Sequence, residues 1–496
     1  MAENATSTVD GGRSLNRNAI GLVPTVFQSI TTIAPAGGAA SGLLLTTAYA
    51  GGSTPLTVVL ALVGCLFVAI AIGQLARHLP SAGGLYTYNS HGLGNDVGYL
   101  VAWGLIGAYA FIPTLYWGFI GLICASEIAN VAPGAPSWLW VPLGLIAAAL
   151  IWFVLHRGVG FSTRTGVIAG ALEMAVFIAL SITLIVAAGG HNTLAVFAAH
   201  NHNAHGFGSL FAGMIFAILA FTGFEAAAPI AEETRDPKRN IPRAVLLSTV
   251  GVGLFYVLAY YAATVYFGPA RMAKFSLFDG GNPWSGMAGH VWGLFAILVF
   301  LAVVNSFMAC NNSSTNAASR MIFALGWIGM IPSGFARIHK RHGTPFVAIG
   351  TLIVATTAVA VFLGLTAGGP IAVLTIFGTA LTIIFIPVYV LTAISSGVFY
   401  WRQHREEFNW LLHALVPLLA VAFFAPVEIA SLGINFANLG ISPVTGIAAD
   451  GLWLALGWMV AGLLALGYVR MRRSGQMDSM ALVMADDGAL VASDAV

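Results

Sequence analysis

Two glutamates lie inside apolar sequence: Glu173, in GVIAGALEMAVFIALSITL, and Glu225, in FTGFEAAAPIAEETRDPKRNIPRAV. A charged side chain within a membrane-length apolar run costs at least about 2.5 kcal/mol on insertion scales, so it faces a cavity, a polar partner or a ligand. No lysine or arginine falls at matching depth, and Glu127 and Glu428 sit nearer the ends of their runs. Three chemistries stay open to Glu173 and Glu225: carrying a proton, bonding polar neighbours, or receiving a cationic ligand or ion. For Glu173 the choice is between a proton-linked group and a structural hydrogen-bonder. For Glu225 it is between a direct partner of an ammonium and a carboxylate whose proton leaves as the conformation changes.

Backbone breaks accompany these acids. SITTIAPAGGAASG (29–42) holds Pro35, Gly37 and Gly38 near the middle of the first apolar run, and Thr222-Gly223 interrupts the sixth. One break alone reads equally as a kink or a small-residue packing surface. Two breaks five runs apart enter the bilayer from opposite sides, which is the pattern of an inverted-repeat transporter. Unwound backbone cannot stay bare in lipid and must line a cavity. Half-helix N-termini there offer partial positive charge to a carboxylate, and half-helix C-termini offer carbonyls to a cation. These features together predict a secondary transporter of a small polar solute.

The run CNNSSTN (310–316) is unusually polar for an apolar segment. Asn311 and Asn312 are candidates to face a solute. Ser313, Ser314 and Thr315 could offer oxygen ligands to a sodium ion, or hydrogen-bond neighbouring helices. Tyr109 and Tyr116 are further candidates to line the path. His191, His200, His202 and His205 share one loop without an accompanying cysteine or acid, so a solvated loop is expected and no metal site. The chain holds no HExxH, no GxSxG and no Gly-Lys pair. Neither catalytic residues nor a cofactor are expected, and a membrane-embedded enzyme or sensor is the distant alternative. Nucleic acid is not an expected partner, because the formal net charge is only +2 and no basic block is dense. Cys65, Cys124 and Cys310 all lie in apolar runs, which argues against a disulfide framework.

The elements that must position these residues are set by composition. Charged residues make up 8% and apolar residues 58%, spread along the chain, whereas a soluble domain carries roughly 25% charged residues. A crossing needs about 20 apolar residues. That length gives twelve spans, near 21–48, 54–76, 97–129, 137–155, 166–188, 208–230, 244–267, 290–317, 346–366, 370–395, 411–432 and 450–469. With the N-terminus inside, all the Lys and Arg except Arg271 and Lys274 fall on the inner side. This charge bias predicts an all-α integral membrane protein of the plasma membrane with both termini cytoplasmic and the lipid bilayer as its solvent. The polar lead before the first run is read as a tail, not a cleaved leader.

Three segments resemble the amino acid-polyamine-organocation superfamily of permeases, which share a leucine-transporter-like fold. PSAGGLYTYNSHGLGNDVGYLVAWG (80–104) is similar to the family's loop between spans two and three. GFEAAAPIAEETRDPKRNIPRA (223–244) resembles its sixth-span signature, and SRMIFALGWIGMIPSGFARIHKRHGTP (319–345) resembles the region from span eight to span nine.

The resemblance implies 5+5 inverted repeats with broken helices 1 and 6. The divisions are a tail at 1–19, a first repeat at 20–190, an extracellular loop at 191–207, a second repeat at 208–396, a peripheral hairpin at 397–470 and a tail at 471–496. It further implies substrate held between the broken helices by Ile33, Ala34, Pro35, Ala36, Gly37, Gly38 and Ala39 on one side. Phe221, Thr222, Gly223, Phe224 and Glu225 face them, with the first group at the solute's carboxylate and the second at its ammonium. Here the first break reads PAGGAAS in place of the family's common Gly-x-Gly. No lysine stands in span five, where some proton-coupled relatives place one. The expected activity is amino acid permeation, coupled to a proton or a sodium ion, with proton symport favoured. Import or exchange of amines or polyamines is the alternative.

Overall fold

In the computed structural model of the protein, residues 20–81, 83–158, 163–202, 204, 206–327, 331–339, 341–436 and 440–472 are described. The expected tail at 1–19, His205 and residues 473–496 lie outside them. Fifteen α-helices carry the described chain: α1 (Leu22–Ile33), α2 (Pro35–Ala50), α3 (Thr54–Ala76), α4 (Leu85–Leu93), α5 (Asn95–Val131), α6 (Trp140–His156), α7 (Thr163–Ala188), α8 (Phe207–Phe221), α9 (Pro237–Phe267), α10 (Pro283–Trp292), α11 (Ile297–Trp327), α12 (Phe346–Thr366), α13 (Pro370–Gln403), α14 (Val416–Ser431) and α15 (Asp450–Arg472). Among the described residues, β-type pairing is confined to two isolated bridges, Ile20 with Thr234 and Phe436 with Ile441.

Eleven stretches among the described residues are long and apolar enough to cross a membrane. Expected spans three to twelve each correspond to one of them. The first two fall together in Leu22–Ala76, a 55-residue stretch. The longest single helix, α5, has 37 residues, so at 1.5 Å per residue it is about 55 Å long, well beyond a hydrocarbon core of about 30 Å. Two local expectations change. The segment between α3 and α5 is not all loop, since α4 forms within it. The helix of the seventh span starts before the apolar run at 244–267: α9 begins at Pro237, behind a left-handed Asp236, and carries Pro242 inside its first turns.

The core is built from α1, α2, α3, α5, α8, α9, α11 and α13. Helix α2 packs on α8, α3 on α9, α1 on α9 and α7, and α13 on α5. Outer helices keep apolar side chains exposed, among them Leu150 on α6, Phe362 on α12 and Trp453 and Leu464 on α15. Such faces suit lipid, where exposed apolar surface carries no solvation cost. Trp103 on α5 and Trp458 on α15 each donate an indole N–H to the other's carbonyl, both at 2.9 Å. Asp96 and Arg470 pair at the same end of these two helices.

Candidate functional site

The first break is narrower than its sequence suggests. Helix α1 stops at Ile33, Ala34 adopts a left-handed conformation (φ 56, ψ 73), and α2 starts at once with Pro35. The proline ring disfavours the right-handed helical region at the residue before it and itself suits the first position of a helix, so the interruption falls at Ala34. Ala36, Gly37, Gly38 and Ala39 are therefore helical residues of α2. Hydrogen bonding continues on both sides of the break, with Ala34 N–H donating to Ile30 at 3.0 Å and Gly38 N–H to Ala34 at 2.7 Å. The carbonyl freed at Thr32 accepts from the Cys310 thiol at 3.3 Å.

The second break is wider. Helix α8 ends at Phe221, Thr222 is extended, and Gly223 takes φ 113 before a 3-10 turn over Phe224–Ile230. The Thr222 hydroxyl returns to Leu219 O at 2.7 Å. Ser29 on α1 ties the two broken segments together, donating to Phe224 O at 2.8 Å and accepting from Ala227 N–H at 3.0 Å. The breaks touch directly, since a Cβ on Gly223 would lie 2.8 Å from Ile33 N.

Glu225 is 1% exposed. Its carboxylate accepts from the Tyr389 hydroxyl at 3.0 Å, the Gly223 amide at 3.1 Å and the Tyr109 hydroxyl at 3.4 Å. The acid is thus held by α5, α13 and its own turn. Phe224 packs on Tyr389 with ring centroids 5.1 Å apart, and Phe221 meets Tyr256 edge-on at 5.3 Å. Both phenylalanines are fully buried, as packing residues in this conformation. Over α2, Phe307 of α11 lies against Gly37, and Tyr256 lies so close to Gly38 that its hydroxyl occupies the space of a side chain there. Tyr116 stacks near Phe307 at 4.5 Å.

Glu173 is 4% exposed and spans three elements. From α7 its carboxylate accepts from Asn305 Nδ2 and Ser306 Oγ on α11, both at 2.9 Å, and the Ala36 backbone amide on α2 lies in hydrogen-bond reach. The α11 hydroxyls do not converge on one point. Ser313 meets the Thr32 hydroxyl at 3.0 Å, Ser314 bonds back to Cys310 O at 2.7 Å, and Thr315 is buried with no partner among the described residues. Successive helix residues are turned by about 100°, which separates them. Both amide ends of Asn311 are buried without a partner among the described residues, as is Asn312 Oδ1. A cavity of about 590 Å³ is bordered by α1, α6, α7 and α11, and Thr31, Glu173, Asn305, Asn312, Arg320 and His342 are among the residues that line it.

Sequence reasoning missed Tyr389, Ser29, Asn305, Ser306, Tyr256 and Phe307. They stand among other polar or aromatic residues, Asn305 beside Ser306 and Tyr256 before Tyr260, and no spacing within their helices marks which of these reaches the site. Among the described residues, His78, His404 and Glu407 bring three ligand-type atoms within 4.8 Å of one another, outside the loop at 191–207.

The chain matches the family model described as amino acid permease over residues 25–479. It is similar to the low-affinity putrescine importer PlaP of Escherichia coli (strain K12), 26% identical over 460 residues, covering 89% of this chain and 95% of that protein. It is similar also to the branched-chain amino acid permease BcaP of Bacillus subtilis (strain 168), 25% identical, covering 60% of this chain and 65% of that one. The lysine-specific permease LysP of Escherichia coli (strain K12) is 26% identical, with 62% of this chain and 63% of the relative covered. With two broken helices meeting at a buried carboxylate and a family match along most of its length, this chain belongs to the amino acid permease family, a family of membrane transporters and not of enzymes.

Proposed function

We propose that the protein is a secondary active carrier of small solutes bearing an ammonium group, working by alternating access with the solute held between the broken helices. The observation that carries this reading is the direct meeting of Gly223 with the Thr32–Ile33 backbone beside Glu225. Two breaks in contact, held only by side-chain and peptide bonds, are where small rearrangements open or close a path. The solute's ammonium binds beside Glu225 when the breaks part, with Asn311 and Tyr109 offering polar groups to it.

Leu22–Ala76 makes two crossings in this reading, giving twelve, because a stretch of 55 residues is more than twice the length that one crossing needs. A 5+5 inverted repeat is supported by reciprocal packing: α1 packs on α9 as α8 packs on α3. The abundance of Lys and Arg at one end supports a plasma-membrane protein with that end and both termini in the cytoplasm. Transport is coupled to a proton through Glu173, whose cavity leads along polar side chains toward Arg320 and His342 at the basic end.

Uptake into proteoliposomes of a labelled panel of amino acids and amines, under a proton gradient, a sodium gradient or neither, tests the proposal. Accumulation driven by the proton gradient is expected. If no amino acid or amine moves under any condition, the carrier reading is wrong. If only a sodium gradient drives uptake, the proton-coupled part is wrong.

A further inference from the structure

The start of a helix presents unpaired amides and partial positive charge, which makes it a natural place for a ligand carboxylate. In this chain that place at the first break is taken. Pro35 supplies no N–H, and the first available amide of α2, Ala36, faces the carboxylate of Glu173. Glu173 is no loose surface acid there, because Asn305 and Ser306 hold both of its oxygens at 2.9 Å. The second break repeats the arrangement on a smaller scale. Gly223, whose amide the break frees, donates to Glu225 at 3.1 Å. Both interruptions in the membrane-spanning region thus have a free amide answered by a carboxylate of the protein itself.

The charge balance points the same way. Among the described residues no lysine or arginine is buried, while Glu173 and Glu225 both are. A solute carboxylate arriving at this site would meet two buried acids and no buried Lys or Arg among the described residues. A solute ammonium would meet the acceptors it needs. In the low-dielectric interior such like-charge and opposite-charge contacts weigh far more than they do in water.

Resting on the carrier reading above, we infer that Glu173 is a specificity-determining residue that occupies the carboxylate place at α2, so that the transported class is primary amines and diamines lacking a carboxylate. Glu225 receives the ammonium. Glu173 acts on the solute through α2, by filling the helix start and, while unprotonated, charging it; this is a positioning role beside its part in proton coupling.

Matched pairs that differ only in the carboxylate provide the test: lysine with cadaverine, ornithine with putrescine, leucine with isopentylamine. Each is measured as competitor in counterflow by the purified full chain in proteoliposomes, which needs no driving gradient. For the wild type, each amine is expected to compete roughly 10- to 100-fold better than its amino acid, the span that one charge-assisted hydrogen bond is worth. Glu173→Gln keeps the volume and removes the charge, and it is expected to narrow that gap by improving the amino acids. Glu173→Ala, which empties the place, is expected to narrow it further. The wild-type comparison stands whether or not the variants fold. If amino acids compete as well as their amines in the wild type, the inference is overturned while the carrier reading survives. If a folded Glu173→Gln keeps the full gap, Glu173 is not what sets the specificity. If neither member of any pair moves, the carrier reading itself fails.

Discussion

Gly223 rests against the Thr32–Ile33 peptide so closely that a side chain at this position would place its Cβ 2.8 Å from Ile33 N and 2.9 Å from Thr32 C. Two interrupted helices, far apart in sequence, meet here backbone to backbone, and the glycine is required twice, by its contact and by its φ of 113. Gly223→Ala is expected to cost more than about 2 kcal/mol, combining left-handed strain with a backbone clash. Thermal unfolding in detergent should show a lowered midpoint, and transport should be lost. An unshifted midpoint with normal uptake would contradict the contact.

Glu225 is held unequally by its two tyrosines, at 3.0 Å from Tyr389 and 3.4 Å from Tyr109. A hydrogen bond to a charged group is worth about 1.5–3 kcal/mol when short and well aligned. Tyr389→Phe is therefore expected to impair transport more than Tyr109→Phe, with Glu225→Gln at least as severe as either. Initial uptake rates of the three variants check the order. Equal rates for both tyrosine variants would show that the carboxylate does not depend on α13.

Asn311 is buried with both ends of its amide unpartnered among the described residues, an arrangement that costs stability unless a ligand uses it. Asn311→Leu keeps the branching and the number of side-chain heavy atoms and has no polar atoms. The expected result is an unchanged or raised unfolding temperature together with about tenfold weaker solute affinity, the effect of losing one neutral hydrogen bond. A destabilised protein with normal affinity would assign Asn311 to the fold alone.

The reciprocal bonds of Trp103 and Trp458 connect α5 to α15, with the rings stacked at 5.0 Å. Each single change to Phe should cost about 1–2 kcal/mol, from one bond plus part of the ring contact. The double change should cost less than the sum, since the two residues share one interface. Unfolding of all four proteins measures the coupling. Strict additivity would mean that the pair does not act as a unit.

How much of this was legible beforehand depends on range. The helices, their order and the exceptional length of α5 follow from hydropathy, because in lipid every backbone group must be satisfied within a helix. The place of each break follows from local chemistry, Pro35 at the first and Gly223 at the second. Even the extent of the first break has a local cause, though the glycines after Pro35 suggested a longer unwound segment than the single residue Ala34. Ser313, Ser314 and Thr315 are adjacent in sequence, and helix geometry turns them apart.

By itself, then, the sequence determined a helical membrane protein with two interruptions and two acids placed in oil. Tertiary structure alone decided what those acids touch across the fold: Tyr109 and Tyr389 for Glu225, beside its local bond to Gly223, and Asn305, Ser306 and Ala36 for Glu173. The physical reason is that helical periodicity reports which residues can share a face. A lone tyrosine or serine in an apolar run gives no sign of its partner, which stands more than a hundred residues away and is brought near only by packing.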